Sequence, residues 1–149
     1  MLLALFVFCL PAQTAAELES IIQTPAVTCD LAARFVLASS ESQAAIGSSG
    51  SAESETPATS FELAVENGWF PQGTSADDTI TLGKLSYLMM EAFEMRGGLM
   101  YALFPGPRYA FRCMVSRSLI QGAADPGMTV SGERFLHILG RVLSATGGE

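Results

Sequence analysis

Apolar residues recur at helical spacing in three stretches of this chain. Leu85, Leu88, Met89 and Ala92 fall at i, i+3, i+4 and i+7, an arrangement that lays one apolar stripe along a helix. Lys84, Glu91 and Glu94 take its other sides. Thr81 stands just before the stripe, where its hydroxyl can accept a hydrogen bond from a free N–H of the first turn. Residues 28–39 repeat the pattern with Leu31, Ala32, Phe35 and Val36, behind Thr28, and Asp30 and Arg34, four apart there, are expected to pair on the surface. Residues 135–143 form a third such helix, with Thr129 ahead of it.

Two shorter helices are also predicted. Over residues 61–68, Phe61, Ala64 and Val65 should face inward. Thr59 and Glu62 have the capping-box spacing, and Gly68 is a fitting stop. Over residues 108–118, Phe111, Met114 and Val115 take the same places. Each short helix leads to a large apolar pair, Trp69–Phe70 or Leu119–Ile120, then to a glycine-containing turn, a threonine and a longer helix. Phe61 to Thr81 spans twenty residues, and Phe111 to Thr129 eighteen. A unit of this kind cannot bury its apolar face alone, so the copies should pack on one another. Residues 28–39 match its second half, which makes two and a half copies. The predicted fold is all-α: a compact bundle of helix–turn–helix repeats with short irregular connectors.

Residues 39–60 are dominated by serine, glycine, threonine and acids, and cannot bury enough apolar surface to offset their ordering entropy. They predict a flexible loop inside one domain. Residues 96–107 are broken by Gly97, Gly98, Pro105 and Pro107, yet carry Leu99, Met100, Tyr101, Leu103 and Phe104. This connector is expected to wrap the surface and cover a groove between helices. Pro107 suits the first turn of the helix that follows.

A chain of 149 residues fits one domain with a real core. Its hydrophobic share of 49% is raised by the first sixteen residues. Residues 2–10 are an apolar run too short to span a bilayer, followed by Pro11 and by Ala12, Ala15 and Ala16. That is the outline of a signal peptide over residues 1–16, which implies export of a helical domain over residues 17–149 with no membrane span of its own. The alternative is a buried N-terminal helix. Cys9 raises a lipoprotein reading, but bulky Phe8 precedes it where a small residue is wanted. In an oxidising compartment Cys29 and Cys113 either form a disulfide or pack as two separate thiols; their positions on helix faces favour the thiols.

The formal charge of −7 is unevenly spread. Residues 17–95 hold twelve acids against Arg34 and Lys84, whereas residues 96–149 hold six arginines against Asp125, Glu133 and Glu149. An acidic whole argues against nucleic acid as a partner. The asymmetry allows the two halves to attract one another, or the later half to meet something anionic.

The run Phe61, Val65, Gly68-Trp69-Phe70, Gly73, Asp78, Ile80-Thr81, Leu85, Leu88-Met89 resembles an S-layer homology (SLH) repeat. Val115, Leu119-Ile120-Gln121-Gly122, Asp125-Pro126, Met128-Thr129, Leu136 resembles it again. The resemblance covers about residues 61–143, with a half-unit at 27–37. It implies a compact helical bundle of about three repeats, on a protein of the bacterial cell envelope, in the periplasm or at the cell surface. In that family the repeats often bind anionic cell-wall polymer, with an arginine directly after the threonine. Here the positions after Thr28, Thr81 and Thr129 hold Cys29, Leu82 and Val130, so the scaffold carries over without that arginine.

No residue pattern points to catalysis. His137, the only histidine, lies four residues from both Glu133 and Arg141 on a polar stripe, and reads as a solvated surface residue. No Cys/His cluster has metal-ligand spacing, and Asp77, Asp78 and Asp125 lack the alternating ligands of a calcium loop. No phosphate loop or Gly-x-Ser-x-Gly elbow occurs, and no cofactor is implied. The one candidate recognition patch is Arg108, Tyr109 and Arg112. Arginines four apart share a helix face and can hold a carboxylate or phosphate; alternatively they contact the acidic first half of the chain. Trp69 is either a core anchor or a ligand platform. The function expected is non-catalytic: an exported interaction or anchoring module that binds a cell-wall polymer or an envelope protein. The alternative is a small-molecule or lipid-binding envelope protein with residues 99–104 as a lid.

Overall fold

The computed structural model describes residues 12–47 and 59–147, and these are all-helical, with no strand. In chain order the helices are α1 (Ala12–Ile22), α2 (Cys29–Gly47), α3 (Ser60–Glu66), α4 (Leu82–Ala92), α5 (Leu99–Leu103), α6 (Pro107–Ser116) and α7 (Gly132–Thr146). Residues 2–10, including Cys9, lie outside the described part. α1 begins within the alanine-rich stretch expected to hold a cleavage site.

The helix starts follow the local chemistry. Thr59 accepts from the Glu62 N–H while the Glu62 carboxylate accepts from Thr59 N–H, a complete capping box. Thr81 caps α4 through Lys84 N–H. Pro107 opens α6, where its missing N–H costs nothing. The α7 cap is Ser131, which accepts from Arg134 N–H. Thr129, expected in that role, instead faces Thr81 across an isolated antiparallel bridge.

Helix ends are equally specific. After α3, the N–H groups of Gly68 and Trp69 donate to the carbonyls of Val65 and Ala64, a Schellman closure that needs a left-handed residue. Gly68 supplies it with φ +74°. The same two bonds close α6, from Ser118 to Val115 and Leu119 to Met114, although Ser118 must hold φ +59° with a side chain. α4 closes alike through Glu94 and Met95.

Three short extended threads meet at the centre. Val27, Ile80 and Val130 are each fully buried; Ile80 N–H donates to Val27 O at 2.8 Å, and Val27 N–H to Val130 O at 2.9 Å. Around them α2 packs on α3 and α4, α4 on α6, and α7 on α1 and α2. Leu85, Leu88 and Met89 turn into this interior as expected. Phe35 of α2 meets Phe135 of α7 edge-on at 6.3 Å.

Several expectations are corrected. α2 continues to Gly47, well into the loop expected over residues 39–60, with Ser39, Ser40 and Ser42 turning their hydroxyls back onto the carbonyls of Phe35, Leu37 and Ala38. Residues 48–58 fall outside the described part. Arg34 pairs with Glu17 of α1 at 3.7 Å and not with Asp30. Val65 and Val115 are 45% and 40% exposed; the buried residues are Ala64 on α3 and Ala110 and Met114 on α6.

Candidate functional site

The connector between α4 and α6 packs on α6. It contains α5, and among the large side chains of residues 99–104 only one is buried. Tyr101 points inward, donates its hydroxyl to the Glu91 carboxylate on α4, and meets Tyr87 edge-on at 6.4 Å. Burial and then the bond to Glu91 raise the Tyr101 pKa, and burial raises that of Tyr87. The approach is so close that a β-carbon on Gly97 would lie 2.2 Å from the Tyr101 ring, which is why that position holds glycine. Gly98 N–H adds a bond to the Cys113 sulfur at 3.4 Å. With Tyr101 held from below, Leu99, Met100, Leu103 and Phe104 face solvent; Leu99 is 76% and Phe104 62% exposed.

Two of the sequence candidates stand beside this face. Tyr109 and Arg112 of α6 line a hollow of about 320 Å³ together with Leu99, Met100, Tyr101 and Cys113. Arg108 precedes them on α6, exposed. Trp69 lies elsewhere, half-buried against the core after α3, and does not join the hollow. The attraction that the charge asymmetry allows between the two halves takes no form as ion pairs among the described residues. The two ion pairs among the described residues, Arg34–Glu17 and Lys84–Asp78, both use bases of the acidic half. Arg134 and Arg141 bond the carbonyls of residues 119, 121 and 123, and Arg117 bonds the Arg96 carbonyl. Arg108 and Arg112 have no such partner among the described residues.

No protein-family model matches the chain, and neither a curated protein nor a solved structure matches it significantly. What can be said of its chemistry therefore comes from the side chains.

Both described cysteines are free thiols. Cys29 is fully buried, and desolvation pushes its thiol up to about 11 against a small lowering by Lys84, so it is a packing residue and a poor nucleophile. His137 is exposed on α7, in an open hollow of about 630 Å³ with Ser118, Leu136, Arg141 and Ser144. Among the described residues no cluster of His, Cys, Asp or Glu could hold a metal ion, and no helix is long and apolar enough to cross a membrane.

Sequence reasoning missed the outward face of α5. Its signal was present: a helix of five residues between Gly98 and Pro105 has one buried side, and the Tyr101 hydroxyl needed a partner such as Glu91.

Proposed function

We propose that this chain is an exported, non-catalytic interaction module of the bacterial cell envelope, built on SLH-like repeats, with Arg108, Tyr109 and Arg112 as its contact residues for a cell-wall polymer or an envelope protein. The repeat reading is supported by hydrogen bonds that recur fifty residues apart. The closures at Gly68 and Ser118 are one pair, and the turn bonds Asp78 N–H to Ser75 O and Met128 N–H to Asp125 O are another. The docking bonds Cys29 N–H to Asp78 O and Leu82 N–H to Met128 O extend the series. In this register Thr28, Thr81 and Ser131 are equivalent, and α1 supplies the first half of a third unit. The residues following them are Cys29, Leu82 and Gly132, none basic. Anion recognition then falls to α6.

The observation that carries the binding reading is the pair of guanidinium groups of Arg108 and Arg112, four residues apart on α6 next to half-buried Tyr109 and without a partner among the described residues. Arg117, Arg134 and Arg141 are occupied by backbone carbonyls and Arg34 by Glu17, whereas this pair is available for an external anion. Retention of the protein on purified cell wall and on immobilised envelope proteins tests it. Retention on one of them, lowered about tenfold by Arg108→Gln/Arg112→Gln, is the expected result. Failure to be retained by either overturns it.

The second reading, a small-molecule or lipid-binding protein with residues 99–104 as a lid, draws on the hollow of about 320 Å³ that Leu99 and Met100 help to line. Native mass spectrometry of protein purified from its own cells would show a ligand bound one to one if it holds.

A further inference from the structure

We infer that the outward face of α5 is a membrane-docking surface, which seats Leu99, Met100, Leu103 and Phe104 in the interface of an anionic phospholipid leaflet. The proposal rests on the same arginines as the binding reading above and names a partner class for that face. Exposed apolar groups of this size and contiguity mark an interaction site. They are also not loosely held. The Tyr101 hydroxyl bond to Glu91, the Tyr101–Tyr87 contact and the Gly98 bond to Cys113 pin α5 from its inner side. The apolar side is thereby presented to solvent in the folded protein.

Charge identifies what should cover it. From residue 95 through residue 124 the chain has no acid and carries Arg96, Arg108, Arg112 and Arg117, in a protein whose net charge is −7. Arg112 lines the same hollow as Leu99 and Met100. A partner must therefore accept large aliphatic and aromatic groups and offer negative charge next to them. The interface of an anionic bilayer does both: the acyl boundary takes the apolar side chains, and the phosphates take the guanidinium groups. A wall polymer alone would satisfy the arginines and leave Leu103 and Phe104 in water.

The test is co-sedimentation of the full chain with vesicles of phosphatidylcholine containing about one-third phosphatidylglycerol, against phosphatidylcholine alone, at low and raised salt. Binding to the anionic vesicles, weakened by salt, is expected. Leu103→Gln/Phe104→Gln, at exposed positions, should lower it at least about tenfold and leave helical content and wall retention unchanged. Arg108→Gln/Arg112→Gln should lower both vesicle binding and wall retention. The proposal is overturned if the anionic vesicles are not bound. It is equally overturned if they are bound undiminished by Leu103→Gln/Phe104→Gln, as binding through residues 2–10 would be. Sedimentation equilibrium gives the third overturning result, a dimer that this double substitution dissociates. Absence of wall retention by the unsubstituted chain, with the anionic vesicles bound, would remove the wall-polymer reading and leave this one standing.

Discussion

Gly132 lies against the backbone of Ile21 so closely that a β-carbon at residue 132 would stand 1.6 Å from the Ile21 carbonyl oxygen. This is where α7 meets α1, and Gly132 N–H also donates to Thr24 O at 2.9 Å. No rotamer relieves a clash with backbone. Gly132→Ala should therefore destabilise the fold by at least about 3 kcal/mol, read by urea unfolding followed by circular dichroism. Gly83→Ala is the comparison. Its β-carbon would meet Pro126 O at 3.1 Å and Pro107 Cβ at 3.5 Å, tight but not overlapping. A cost below about 1 kcal/mol is expected there, since alanine gains helix propensity over glycine.

The capping assignment separates two hydroxyls that look alike in sequence. Ser131 accepts from Arg134 N–H at the start of α7, whereas Thr129 is exposed and pairs by backbone with Thr81. Ser131→Ala should cost about 1 kcal/mol and Thr129→Ala less than about 0.5 kcal/mol in the same unfolding measurement. Equal losses would contradict the register.

Cys29 gives the protein an alkaline sensitivity of known sign. Its thiol titrates near 9.0 when unperturbed and near 11 when folded, because burial disfavours the thiolate. A raised folded-state pKa contributes stability that is fully present below pH 9 and lost as pH rises through 11. The loss should reach about 2–3 kcal/mol above that window. Cys29→Ala should flatten this part of the stability profile, measured by urea midpoints from pH 8 upward.

Arginines should divide into two classes on substitution. Arg134 donates to Ala123 O at 2.8 Å and to Gln121 O at 3.3 Å, tying the loop before α7 to that helix. Arg134→Met should lose about 1–2 kcal/mol of stability. Arg108→Gln/Arg112→Gln, which breaks no internal bond, should stay within about 0.5 kcal/mol of the parent in thermal and urea unfolding.

The periodic stretches were legible because their causes are local. Thr81 and the Thr59–Glu62 box cap their helices, Pro107 opens α6 and Gly68 closes α3 through interactions within about five residues. The all-helical class follows from the same short-range chemistry. That Tyr109 and Arg112 are neighbours was legible, since three residues along one helix bring them about one turn apart.

Other features depended on contacts far apart in sequence. Thr129 and Ser131 both fit a cap; hydrogen bonds from Leu82 to Met128 and from Val27 to Val130 decide which one does. Arg34 had two carboxylates within reach, and the packing of α1 chose Glu17. The direction of α5 depended on Tyr101 finding Glu91, after which its four apolar neighbours could point only outward. Helix identity is written in spacing along the chain, because a turn of helix involves neighbours alone. Which side of a helix meets water, and which arginine is left without an internal bond, is set by what else occupies the space, and only the assembled tertiary structure holds that information.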